Sequence, residues 1–113
     1  MTQPPLGLSA SLHVVHEETH EVQAGYWATH AELADGSRVR LMQAHDPHRK
    51  WARGSGGPRW RQRTLEGRRL HWREADGECV VCVRQDDVLL WLHAQGMTAD
   101  DALALAASVE TRG

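Results

Sequence analysis

The sequence contains no phenylalanine, a single tyrosine and, at Lys50, a single lysine. Without Phe, the large aromatic area of any core must come from Tyr26 and from Trp27, Trp51, Trp60, Trp72 and Trp91. With one lysine among 13 basic residues, arginine is the cation wherever the fold needs one, so local arginine enrichment is a weak signal by itself. No apolar run approaches the roughly 20 residues that span a bilayer. The opening MTQPPLGLSASL also lacks the basic end and long apolar stretch of a signal peptide. As written, the chain is expected in the cytoplasm; as a fragment of an anchored protein it would be extracytoplasmic. G-x-S-x-G, phosphate-loop and dinucleotide fingerprints are missing too, and GSGG at 54–57 lacks the Lys-Ser/Thr that a phosphate loop requires.

What remains is the composition of a folded chain: 41% hydrophobic and 25% charged over 113 residues. That suffices for one hydrophobic core and is too short for two ordinary ones, so residues 1–113 are expected to form a single domain. The glycine-rich stretch near 52–58 is the expected flexible loop. Net charge is −2, yet it is unevenly spread. Between Arg49 and Arg73, nine basic residues face Glu66 alone, giving +8, and the other four basic and fourteen acidic residues give −10. Such a chain either neutralises itself within the fold or presents a basic face to an anionic partner.

The clearest local signal is a hairpin, YWATHAEL then ADG then SRVRLMQA. A three-residue loop, Ala34 to Gly36 with Gly36 left-handed, places Trp27, Thr29, Ala31 and Leu33 on one face with Val39 and Leu41, and sets Glu32 beside Arg38 on the other. RRLHWR alternates Leu70 and Trp72 against Arg69, His71 and Arg73, and Asp76-Gly77 marks a turn. ECVVCVR alternates again, Gln85-Asp86-Asp87 reverses the chain, and VLLWLHA is apolar on both faces, as expected of a central covered strand. After Gly96, MTADDALALAASVE predicts a helix with Thr98 as N-cap and a stripe of Ala102, Leu105, Ala106 and Val109 flanked by Leu103. Residues 9–23 stay open: Leu8, Leu12, Val15, Thr19 and Val22 recur at helical spacing, while LHVV suits a short strand. The expected fold is α+β, a curved, mostly antiparallel sheet of about five or six strands with the C-terminal helix on one face. Trp27, Leu41, Trp72, Trp91 and Leu105 are expected to be substantially buried.

Two stretches, LEGRRLHWREADG and VLLWLHAQGMTADDALALAASV, carry a wider resemblance. A tryptophan strand ending in an acidic residue and glycine, further strands and a final capped helix resemble the small curved-sheet domains of bacterial sensor and anti-sigma-type proteins, related in shape to the LolA-like lipoprotein carriers. The likeness covers residues 26 to 110 approximately. It implies a non-enzymatic module that binds an apolar or peptide ligand inside the curve of the sheet, and it brings no catalytic residues.

Three chemistries can be weighed from the residues. His13, His16 and His20 would share a helical face and could hold zinc with Glu17 or cysteine completing the shell, but a strand would disperse them, and surface histidines are the expectation, with no metal. Cys79 and Cys82 form a CxxC in a strand, which sends the thiols to opposite faces, so buried free cysteines are expected rather than a disulfide or redox pair. The pairs Asp86-Asp87 and Asp100-Asp101 lie at a turn and a helix start, where acids are common, so no catalytic residue is assigned. HRKWARGSGGPRWRQR is the sharpest candidate for binding. Arg49, Lys50, Arg53, Arg59, Arg61 and Arg63 could pair with phosphates while Trp51 and Trp60 stack on unpaired bases. The leading expectation is a non-catalytic, cofactor-free binding or regulatory module for a partner protein or ligand, with a self-complementary apolar patch as the route to a homo-oligomer. The alternative is binding of nucleic acid or another polyanion through the Arg/Trp-rich segment 49–73.

Overall fold

Short alternating segments divided by tight turns leave the chain little choice but a meander. A computed structural model describes residues 4–47 and 60–111. In it the elements run β1 (Leu6–Gly7), β2 (Val14–Gln23), β3 (Tyr26–Leu33), β4 (Arg38–His45), β5 (Arg61–Leu65), β6 (Arg68–Ala75), β7 (Glu78–Gln85), β8 (Val88–Gln95), α1 (Ala99–Ala107) and β9 (Glu110–Thr111). Seven strands form one antiparallel sheet in the order β2-β3-β4-β8-β7-β6-β5, and β1 pairs with β9 in a separate two-stranded sheet. Two meanders, β2 to β4 and β5 to β8, are thus joined where β4 lies against β8. The sheet is not closed, and β2 and β5 are its edges. No helix among the described residues is long and apolar enough to cross a membrane.

The α+β class and the antiparallel sheet agree with expectation, but the main sheet has seven strands rather than five or six. Residues 9–23 supply one of the edges, since Val14–Gln23 is a ten-residue strand. The apparent helical spacing there is no buried stripe: Val15 is 64% and Val22 54% exposed. An edge strand needs little apolar patterning, which is why periodicity is uninformative over this stretch.

The hairpin has the predicted register. Glu32 faces Arg38, Ala31 faces Val39 and Thr29 faces Leu41. Leu33 N–H donates to the Ser37 carbonyl at 2.9 Å, closing a loop of Ala34, Asp35 and Gly36, with Gly36 at φ +90°. The Ser37 hydroxyl and amide both donate to Asp35 Oδ1, which holds the Asp35 carboxyl below its ordinary range.

Helix α1 lies on one face of the sheet, against β5, β6, β7 and β8. Thr98 Oγ1 accepts from the Asp101 amide at 3.1 Å, the predicted cap. Ala102, Leu103, Leu105 and Ala106 are buried against the sheet, joined by Val109 just beyond the helix end. Beneath them Leu41, Leu92 and Val81 sit side by side on β4, β8 and β7, and Leu90, Val83 and Leu70 form the next row. Gln43, fully buried in that second row beside Leu90, crosses to β1: its Nε2 donates to the Leu6 carbonyl at 2.8 Å and its Oε1 accepts from the Leu6 amide at 2.9 Å. Both of its polar ends are therefore satisfied, and β1 is tied across the helix side of the sheet.

Trp27, Leu41 and Leu105 are buried as expected, whereas Trp72 and Trp91 are half-buried. Trp72 neighbours the short edge strand β5, where little protein remains to cover it. Trp91 occupies the face of β8 opposite the helix, between Met42 and Cys82. VLLWLHA does form the middle strand of seven, but only its Leu90, Leu92 and Ala94 side meets the helix layer.

Candidate functional site

The face opposite α1 is where side chains converge without being consumed by the core. Strand alternation and the cross-strand pairing assemble it in rows. One row runs His16, Glu32, Arg38, Gln95, Glu78, and the next runs Glu18, His30, Arg40, His93, Val80, Arg73. A third, His20, Ala28, Met42, Trp91, Cys82, His71, is largely apolar in its middle. The charged and imidazole groups are thus gathered at the end of the sheet that carries the β3–β4 turn.

There they line a cleft of about 330 Å³ whose walls include His16, His30, Arg38, Arg40, Glu78 and His93. This is the lower end of the size range of small-molecule sites. Glu78 Oε1 lies 2.9 Å from His93 Nδ1, and Arg40 Nη2 lies 3.5 Å from the same nitrogen. His16 Nε2 is 3.3 Å from Glu18 Oε1, and the His20 and His30 rings stack with centroids 5.9 Å apart at 12°. Arg38 projects from the same face, and among the described residues its guanidinium has no hydrogen-bond or ion-pair partner. A second depression of about 480 Å³, between α1 and the β3–β4 hairpin, is lined chiefly by Leu12, Leu33, Met97 and Leu105 and lacks such convergence.

Of the sequence-predicted binding residues, Arg49, Lys50, Trp51, Arg53 and Arg59 lie outside the described residues, as does the glycine-rich stretch 52–58. The remaining three do not form one surface. Arg61 lies on the helix side with its guanidinium 5.2 Å from the Trp72 ring centroid, and Arg63 Nη1 binds Asp100 Oδ1 at 2.8 Å. Trp60 is half-buried, with the Arg73 guanidinium 5.2 Å from its ring centroid. Arg69 and Arg73 share the opposite face, so the basic residues of β5 and β6 are divided between the two sides of the sheet.

His13, His16 and His20 are not gathered. Along a strand rising about 3.3 Å per residue, His16 and His20 stand about 13 Å apart, beyond the reach of one ion. Among the described residues no group of three or more His, Cys, Asp or Glu side chains is arranged to hold a metal ion.

Cys79 and Cys82 are both free and buried. Cys79 belongs to the core on the helix side, and Cys82 lies opposite, beside Trp91. Burial, reinforced by the Glu74 charge, pushes the Cys79 thiol up to about 11. With so high a value, about one molecule in a thousand carries the thiolate at pH 8. Iodoacetamide at pH 8 is therefore expected to leave Cys79 unmodified in the folded protein and to alkylate it fully in urea, as read by peptide mass spectrometry; rapid native labelling would contradict this burial.

Sequence reasoning placed Glu32 opposite Arg38 but missed the cleft. His30 and Arg40 were legible in the same hairpin, at paired positions of its outer face. Glu78 and His93 were not, because they reach the cleft only through the pairing of β4 with β8, strands more than forty residues apart in the chain. Comparison with protein-family models, with curated proteins and with solved structures finds no match to this chain.

Proposed function

We propose that this chain is a non-catalytic binding module and that its recognition site is the cleft at the β3–β4 end of the sheet face opposite α1. The observation that carries this is Arg38, a guanidinium with no partner among the described residues, in a cleft that also holds Arg40, His30 and His93. Core packing does not require charged groups there, and the helix that completes the core lies on the other side. The resemblance to curved-sheet sensor and anti-sigma-type domains implies a binding module as well. The charge of this lining, however, favours a polar ligand over an apolar one.

Binding of nucleic acid or another polyanion through segment 49–73 is the weaker reading, because Arg61 and Arg63 are engaged on one side of the sheet while Arg69 and Arg73 stand on the other. Two measurements separate these readings. Titration of isotope-labelled protein with a library of small carboxylates, amines and amides is expected to shift backbone amides of β3, β4 and β8 around Arg40 and His93. A library that shifts nothing, or shifts only residues lining the groove beside α1, overturns the assignment, and salt-sensitive retention on heparin lost in R61E/R63E would favour the polyanion instead.

A further inference from the structure

Resting on that assignment of the cleft, we infer that its ligand is a small anion, a compound presenting a carboxylate or oxyanion group, and that the grip tightens as pH falls from 7.5 to 5.5. The fixed positive charge is supplied by β4. Arg38 and Arg40 are two residues apart on one face, and among the described residues neither has a carboxylate within ion-pair distance. Guanidinium groups present several donors in a plane that matches two oxygens of a carboxylate or oxyanion. Against them stand Glu32 on β3 and Glu78 on β7, with Glu18 on β2 beside His16, so with neutral imidazoles the carboxylates outnumber these two guanidiniums.

Imidazoles tip that balance. His16 on β2, His30 on β3 and His93 on β8 all line the cleft, and His20 on β2 stacks on His30. Imidazole is the side chain whose charge ordinarily changes between pH 5 and 8. His93 is already aligned with Glu78 at 2.9 Å, so its proton cancels the carboxylate that would repel an anion. His16 stands in the same relation to Glu18, at 3.3 Å. Two protonated rings stacked at the His20–His30 distance repel each other, and an anion held by Arg40, directly across the strand pair from His30, relieves that repulsion. Each proton taken up therefore favours the occupied cleft. Beyond Val80 the same row ends in Arg73 on β6, a further cation rather than a competing acid.

Sulfate keeps its charge over this pH range and serves as the probe. Histidine ring and arginine side-chain NMR signals are followed during sulfate titration at constant ionic strength. Saturable shifts of His30, His93 and Arg40 are expected at pH 5.5, with affinity about tenfold weaker at pH 7.5 from the loss of several screened charge interactions. R38Q/R40Q, whose positions are exposed and whose fold is checked by its amide spectrum, is expected to abolish saturation at both pH values. H30Q/H93Q is expected to flatten the pH dependence while leaving the weaker binding. Absence of saturation at pH 5.5, equal affinity at both pH values, or saturation surviving in R38Q/R40Q overturns the inference. Propionamide and butylamine are run as neutral and cationic probes: if either binds the cleft where sulfate does not, the anion is wrong and the site stands, and if none of the three binds, both fall.

Discussion

Replacing Asp46 by alanine is expected to lower the unfolding free energy by about 3 kcal/mol, the cost of leaving one member of a buried ion pair alone. Asp46 follows β4 and is only 4% exposed. Its Oδ2 takes a hydrogen bond from Arg84 Nη2 at 2.8 Å, its carbonyl takes a second from Arg84 Nη1 at 3.1 Å, and its amide donates to the Asp87 carbonyl at 2.6 Å. One residue thereby fastens the exit of β4 to β7 and to the β7–β8 turn, across the join between the two meanders. The Arg84 side chain is 15% exposed, so water replaces little of what the carboxylate provides. In D46A/R84M both charges are gone, and the loss is expected to be smaller than in D46A, since the desolvation cost of the arginine disappears with it. Urea unfolding of the three proteins tests this: a D46A protein within 0.5 kcal/mol of the parent would show the pair to be a surface contact in effect.

No pattern in the sequence announces that pair. Asp46 sits in HDPH beside a proline and reads as a loop acid, and Arg84 reads as the polar end of ECVVCVR. Local rules reach as far as local contacts do. Register in the β3–β4 hairpin was legible because three residues close the loop and a slip of one would bury Arg38. The helix and its cap were legible because Thr98, Asp101 and the alanine-leucine stripe all fall within fourteen residues. What local rules do not reach is the order β4-β8 at the centre of the sheet, for which Arg40 and His93 must meet across 53 positions. That adjacency creates the cleft, and without it Arg38, Glu78 and His93 are ordinary polar residues on three separate strands. Arginine density along the chain does not mark the cleft for the same reason. The excess over residues 49–73 counts charges along the chain, whereas alternation sends Arg61 and Arg63 toward α1 and Arg69 and Arg73 away from it.

Leu92→Ala is expected to cost about 3–4 kcal/mol, the middle of the range for deleting a buried leucine. Leu92 is fully buried at the centre of the middle strand, flanked by Leu41 on β4 and Val81 on β7, both of them buried. Its neighbours cannot close the gap easily, because the backbone on each side is fixed by the ladders of three strands. Chemical denaturation should give this loss with a parent-like denaturant slope, while Val15→Ala on the exposed edge strand should change stability by less than about 0.5 kcal/mol. A Leu92→Ala loss below 1 kcal/mol would mean that the β4-β8 junction is not the centre of the core. The position also separates stability from recognition. Leu92 points to the helix side, whereas His93, the next residue, points into the cleft beside Arg40. A domain of ordinary stability, about 5–15 kcal/mol, survives the loss of Leu92 at room temperature. The folded L92A protein is therefore expected to keep its sulfate response at pH 5.5, where R38Q/R40Q, with its core untouched, loses it.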